Sequence, residues 1–241
     1  MKRFYIHQKH IKNHNNDQKE FYYKRCSEFD KSPIGIDKIV FLGDSITEGA
    51  QNWNKYFDSK NIVNRGISGD TTEGVLARLD EICYYKPLAV FLLIGINDIF
   101  NIDSPNRDRV TMEIVANNIL RISDRVINQY TTKKFIQTIL PINIKLFFNE
   151  NGWFPNHKVP LNDQISKINT LIKNQSKDNL HIVIDLHSAF LNNNGLLNEA
   201  CTTDGVHLNK YGYETWAEFI KDDFNSIVLK DRKKTRKRLN G

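Results

Sequence analysis

Ile39-Val-Phe-Leu-Gly-Asp-Ser-Ile-Thr-Glu-Gly49 runs from a β-prone apolar segment through a glycine and a serine into a helix-like stretch. Ile39 to Leu42 has the unbroken apolar character of a strand buried on both faces. Gly43 lets the backbone turn sharply. Ser45 follows, and Ile46 to Phe57 is expected to be helical. A serine between a strand's carboxyl end and a helix's amino end points out of the sheet edge, among free N–H groups and the positive end of the helix dipole. That suits a nucleophile beside an oxyanion site. A structural alternative uses the same residues: Ser45-Ile-Thr-Glu48 matches the capping box, with Ser45 as N-cap and Glu48 as its partner.

Outward from this stretch, strand and helix patterns alternate. Asn61 to Asn64 is a short second strand, followed by a loop, Arg65-Gly-Ile-Ser-Gly69. Asp70-Thr-Thr-Glu73 opens a helix whose apolar face is Val75, Leu76, Leu79 and Ile82. Leu88 to Ile94 is the most hydrophobic run and the expected central strand. It ends in Gly95-Ile-Asn97-Asp98. Met112, Val115, Ile119, Ile122 and Val126 repeat at helical spacing. Lys134 to Leu140 is a fourth strand, stopped by Pro141. Ile142 to Pro160 is expected to be a long loop holding Phe147, Phe148, Trp153 and Phe154, and loops of that length are often functional. A helix through Leu161, Ile165, Ile168 and Ile172 and a fifth strand, His181 to Leu186, follow. The last helix turns Tyr213, Trp216, Ala217, Ile220 and Phe224 inward. Five alternations of this kind imply an α/β fold, a parallel sheet covered by helices on both faces.

At 241 residues the chain suits one good-sized domain. The expected organisation is a polar N-terminal extension (1–32), a catalytic domain (33–228) and a basic C-terminal tail (229–241). The extension is expected to be helical from about Gln18 to Phe29, packing Phe21, Tyr22 and Phe29 on the body, and is given no function. His7, His10 and His14 lie at helical spacing but lack an accompanying cysteine or carboxylate cluster, which favours solvated histidines over a metal site. Cys26, Cys83 and Cys201 are odd in number and fit neither a metal pattern nor a disulfide framework. The formal charge of +6 is matched by the tail Lys230 to Arg238 alone, which carries seven cationic residues and one acidic one. The body is therefore neutral, which argues against a basic nucleic-acid-binding face. The tail is a solvated terminus or a weak contact for anionic surfaces. No apolar run reaches a membrane span and no hydrophobic leader core is visible, so a cytoplasmic home is expected.

Reactive groups in such sheets gather at the carboxyl ends of the strands. Ser45 N–H, Gly69 N–H and the Asn97 side-chain amide would together form a three-donor oxyanion hole. The serine needs a base, and His207 stands out because Asp204 precedes it by three residues across Gly205. Asp185 is a rival acid, His157 a weaker rival base, and His187 reads as structural. The structural alternative for the pair makes Asp204 a helix cap and His207 a surface histidine.

Gly43-Asp-Ser-Ile-Thr-Glu-Gly49, Asn64-Arg-Gly-Ile-Ser-Gly-Asp-Thr-Thr72 with Leu76-Ala-Arg-Leu79, Gly95-Ile-Asn-Asp98 and Asp204-Gly-Val-His-Leu208 occur in the order and spacing of known sequence blocks. Through them the chain resembles the SGNH (GDSL) hydrolases, over about Ile36 to Ile220. Within that family it is similar to the platelet-activating-factor acetylhydrolase catalytic subunits and the bacterial acylhydrolases. The resemblance implies a three-layer α/β/α sandwich on a five-stranded parallel sheet of flavodoxin-like type. It further implies Ser45 as nucleophile, Asp204 and His207 as its partners, and Ser45, Gly69 and Asn97 as oxyanion donors. Gly69 rather than Gly66 takes that role because it stands just before the Asp-Thr pair. The serine context is not G-x-S-x-G, so the nucleophile elbow of the α/β-hydrolases does not apply.

The expected activity is hydrolysis of a short-chain ester, acetyl first, through an acyl-enzyme, with no metal or cofactor required. Long-chain lysophospholipid or thioester hydrolysis, and a non-catalytic binding module with a basic tail, are the alternatives. The expected partner is a small ester on a sugar or lipid, with no specific nucleic acid. Trp153 and Phe154 are candidates for a substrate loop. The sequence does not specify an oligomeric state.

Overall fold

Five parallel strands form one sheet in the order β2-β1-β3-β4-β5, here in a computed structural model that describes residues 3–5, 11, 14–100, 110–127, 132–152, 158–175 and 181–227. The strands are β1 (Ile39–Gly43), β2 (Ile62–Gly66), β3 (Ala89–Leu93), β4 (Lys133–Gln137) and β5 (Ile182–Ile184). Every residue of β1 and β3 is buried, which explains why both read as continuous apolar runs. Between them the strand order reverses. In open α/β sheets, ligands bind outside the carboxyl ends at that crevice.

The helices in chain order are α1 (Asn16–Lys31), α2 (Ser45–Glu48), α3 (Asn54–Phe57), α4 (Thr72–Ala77), α5 (Asp80–Tyr85), α6 (Ile96–Phe100), α7 (Met112–Ile127), α8 (Ile144–Asn151), α9 (Leu161–Gln175), α10 (Leu186–Ala189) and α11 (Lys210–Phe219). α4, α7 and α9 pack beside one another, as do α3, α10 and α11. No helix among the described residues is long and apolar enough to cross a membrane.

Register builds the core. Phe41, Phe91 and Phe135 are direct partners across β1, β3 and β4. Their rings stack at 4.9 and 4.4 Å. Trp53 stacks on Phe41 at 4.1 Å, and Trp216 meets Trp53 edge-on at 4.8 Å. The buried Trp216 indole finds its acceptor in Gln137 Oε1 at 2.6 Å. Truncating one of these rings to alanine would cost about 3–5 kcal/mol.

Several expectations change in detail, and at two of them a distant side chain takes over the backbone. The single helix expected over 46–57 is two short ones, α2 and α3. Asn64 Nδ2 reaches the carbonyls of Thr47, Glu48 and Gln51, and Gln51 turns left-handed at φ 55°. The helix expected after Asp70 breaks at Arg78, whose side chain is drawn into the interior. The N-cap there is Thr71, not Asp70. β4 ends at Gln137 because Asn169 then bonds both the N–H and the C=O of Ile139, at 2.8 and 2.9 Å. β5 is confined to three residues.

The long loop after β4 contains α8, opened by Asn143, whose side chain accepts from Leu146 N–H, and closed by Gly152 at φ 68°. Phe147 is buried and Phe148 exposed, whereas Trp153, Phe154 and His157 lie outside the described residues, as do the basic tail, His7 and His10. His14, expected to be solvated, is buried at 4% exposure. Its Nε2 stands 3.5 Å from Asp70 Oδ1 and from Thr71 Oγ1.

Candidate active site

β1 delivers Ser45 to the sheet's carboxyl edge, and the bend at Gly43 must be tight. A Cβ there would lie 2.1 Å from the Leu93 carbonyl. Ser45 opens α2 but does not cap it. The N-cap is Asp44, whose carboxylate accepts the Ile46 N–H at 3.0 Å. The capping reading of Ser45 is thereby overturned, since its neighbour supplies the acceptor and leaves the Ser45 hydroxyl free for another partner. Glu48 does not close a capping box either. Its Oε2 accepts the N–H and the hydroxyl of Ser68, at 2.7 and 2.6 Å.

The partner of Ser45 comes from the far end of the chain. His207 Nε2 lies 3.0 Å from Ser45 Oγ, and His207 Nδ1 lies 2.6 Å from Asp204 Oδ2. Asp204 Oδ1 also accepts the backbone N–H groups of Val206 and His207, at 2.9 and 2.7 Å. One carboxylate therefore shapes the turn and orients the ring. With Nδ1–H donated to Asp204, Nε2 is left as the acceptor facing the serine hydroxyl. The turn is fastened by Thr202 and Asn143. Thr202 Oγ1 accepts the Gly205 N–H at 2.9 Å, and the Gly205 carbonyl accepts the Asn143 N–H at 2.8 Å.

Electrostatics follow the contacts. The hydrogen bond that the His207 ring donates to Asp204 raises the His207 pKa above its ordinary value, against the opposing effect of burial. Burial pushes the Asp204 carboxyl up, but hydrogen bonds from the His207 ring and from two backbone N–H groups outweigh it and hold it at about 2. Asp44, fully enclosed, is pushed up to about 7 by burial.

The rival acid Asp185 is engaged elsewhere. It pairs with Lys173 at 2.8 Å and accepts from Ser188 Oγ and Thr138 Oγ1. His187 Nδ1 lies 2.9 Å from the Ile139 carbonyl.

The loops after β2 and β3 flank this group. Gly69 has φ 77°, in a turn where Asp70 N–H bonds the Ile67 carbonyl at 3.1 Å. Asn97 stands in the first turn of α6, and its Nδ2 donates to the Asp70 carbonyl at 2.9 Å. Beneath them Arg78, fully buried, donates to Asp70 Oδ2, the Arg65 carbonyl and the Gly43 carbonyl, at 2.8, 2.8 and 2.9 Å. One guanidinium thus ties the ends of β1 and β2 together. Asp98, pushed up to about 7 by burial, accepts the Thr72 N–H and hydroxyl at 2.9 and 2.7 Å. The sequence reading gave no role to Asp44, Arg78 or Asp98, which are buried. Their signal lies in buried charge, which a single sequence does not display. Among the described residues no three His, Cys, Asp or Glu side chains cluster in a way that could hold a metal ion.

A five-stranded 2-1-3-4-5 sheet with these blocks at its carboxyl edge defines a class. Residues 41–215 match the model of the GDSL-like lipase/acylhydrolase family, and the chain belongs to that family. It is 28% identical to the alpha2 subunit of platelet-activating factor acetylhydrolase IB from Rattus norvegicus, over 76% of this chain and 72% of that one. A GDSL-like lipase from Bacteroides thetaiotaomicron superposes with a TM-score of 0.69 at 22% identity, over 85% of this chain and 97% of that one. An acetylxylan esterase from Geobacillus stearothermophilus gives 0.58 at 20% identity, over 78% and 94%. At those identities the two structures speak to the fold alone.

Proposed function

We propose that this chain is a serine esterase that removes a short acyl group, acetyl first among them, through an acyl-enzyme on Ser45. The observation that carries the reading is the relay of Ser45 Oγ, His207 and Asp204, with separations of 3.0 and 2.6 Å. His207 takes the hydroxyl proton as Ser45 Oγ attacks the ester carbonyl. Negative charge then develops on the carbonyl oxygen, facing the Ser45 N–H, the Gly69 N–H and the Asn97 amide. His207 returns the proton to the leaving alcohol, and water, deprotonated by the same ring, releases the acid. Asp204 keeps the ring in one tautomer and stabilises its charged form. Each of these steps is carried by side chains and backbone N–H groups of the chain.

The short-acyl preference is supported by the similarity to an acetylhydrolase subunit. The alcohol half of the ester is a sugar or lipid hydroxyl in this reading.

The test is hydrolysis of p-nitrophenyl acetate, butyrate, octanoate and palmitate by the wild type beside Ser45→Ala. Expected is turnover that falls steeply with chain length and drops by about 10⁴- to 10⁶-fold in the variant. Octanoate or palmitate turned over faster than acetate would contradict the short-acyl assignment. Turnover unaffected by Ser45→Ala would contradict the nucleophile.

A further inference from the structure

Helix α1 lies before the family-matched stretch and, as a polar extension, carries no role in the reading above. Five of its side chains nevertheless bear on the loop after β2 and the start of α4, directly or through Glu48. Tyr22 hydroxyl donates to the Gly74 carbonyl at 3.0 Å, and Tyr22, Cys26 and Phe29 bury themselves against Ile67. Those contacts would serve simple cover. The other two do something more specific.

The turn Ile67 to Asp70 is closed by its own hydrogen bond, with Gly69 at φ 77°. That backbone conformation belongs to turns that require glycine at the third position, where the central peptide sets the direction of the glycine N–H. Both residues of that peptide are gripped from outside. On the Ser68 side, Glu48 Oε2 accepts the N–H and the hydroxyl, while Glu48 Oε1 pairs with Arg25 Nε of α1 at 2.8 Å. On the Gly69 side, Gln18 Nε2 of α1 donates to the Gly69 carbonyl at 3.3 Å. The Gln18 amide cannot flip without loss, because its Oε1 accepts the Asn15 N–H at 2.9 Å in the capping box that starts α1. Its Cγ also stands 3.3 Å from where a Cβ on Gly69 would be.

We propose that α1 is a working part of the oxyanion site, with Gln18 and Arg25 as positioning residues that hold the Ser68–Gly69 peptide so that the Gly69 N–H is aimed at the developing oxyanion. The proposal rests on the esterase reading. A misaimed donor matters only as charge develops, so its cost falls on kcat rather than on KM. A helix that merely covered apolar surface would instead give up stability when altered.

The experiment uses the full chain with Gln18→Glu, Arg25→Gln and the double variant. Gln18→Glu keeps the acceptor for the Asn15 N–H and sets a carboxylate oxygen in place of the donor to the Gly69 carbonyl. For p-nitrophenyl acetate the expected loss in kcat is about 5- to 30-fold in the double variant, below the 10² to 10³ of a donor lost outright. KM should stay within about twofold, since ground-state binding is untouched. Backbone amide exchange over 67–70 should quicken, and Arg25→Lys should retain most of kcat. Unchanged kcat in the double variant overturns the proposal, as does a fall in kcat with unchanged exchange over 67–70. Should the double variant fail to fold, Gln18→Glu alone carries the same two readings. If the wild type shows no Ser45-dependent hydrolysis, the esterase reading fails and takes the oxyanion role of α1 with it, an outcome that unchanged kcat in the variants of an active enzyme does not mimic.

Discussion

Asn97 Nδ2 donates to the backbone carbonyl of Asp70 at 2.9 Å, which joins the loop after β3 to the turn after β2. The Asn97 amide carries two N–H groups. One is spent on this bond and fixes the plane of the amide; the other remains to be offered. Asp70 is itself held by Arg78 through its carboxylate, so the Asn97 amide and the turn holding Gly69 form one mechanical unit.

Asn97→Ala removes both the donor and the tether. A fall in kcat of about 10² to 10³ with little change in KM is expected, the range for a single oxyanion donor. Steady-state kinetics on a short ester check it. Silence at this position would remove Asn97 from the reaction.

The pH profile follows from the raised pKa of His207. The ring must be neutral to accept the Ser45 proton, so kcat/KM should climb as pH rises through a value above the ordinary histidine pKa of about 6.5. Asp204→Asn removes the carboxylate responsible for that rise. The acid limb should therefore move to lower pH, while the plateau falls about 10⁴-fold as the tautomer is lost. A limb that stays in place would mean that Asp204 does not set the His207 pKa.

Arg78→Met tests the buried frame rather than the chemistry. It leaves the Asp70 carboxylate enclosed without its guanidinium and removes the Arg78 hydrogen bonds to the Gly43 and Arg65 carbonyls. Breaking a buried pair from one side costs about 3–5 kcal/mol, which at this chain length lowers Tm by roughly 2–4 °C per kcal/mol. Urea or thermal unfolding would read it.

Gly205 has φ 89°, and a Cβ there would stand 2.3 Å from the Asn143 carbonyl and 2.8 Å from the Phe147 nitrogen. Both obstacles are backbone. Gly205→Ala must therefore push the 204–207 turn away from α8 and draw His207 off Ser45. Activity should fall further than the loss of Tm explains, a comparison that assay and calorimetry on one preparation provide.

Much of the fold was legible because its strands are short, apolar and regularly spaced. The continuous runs at 39–42 and 88–94 could belong only to strands buried on both faces. Three of the misreadings share one cause. Asn64, Arg78 and Asn169 capture backbone or interior groups far from themselves in sequence, and local pattern holds no trace of that. At Ser45 the local pattern pointed to the serine as the cap, whereas the structure uses Asp44, one residue earlier. The proximity of Ser45, His207 and Asp204 was suggested by the three-residue spacing across Gly205 and by the resemblance. α1 was legible as a helix packed on the body, but its hold on Gly69, and on Ser68 through Glu48, went unread because those contacts are polar and long-range.

The most direct measurement is to locate the acyl group. Wild-type enzyme mixed with p-nitrophenyl acetate, quenched in acid within the first turnover and digested, should carry a single acetyl group on the peptide containing Ser45. His207→Ala should fail to acquire it. Turnover of the ester with no acetyl on that peptide, or with the acetyl on another residue, would contradict the account at its centre.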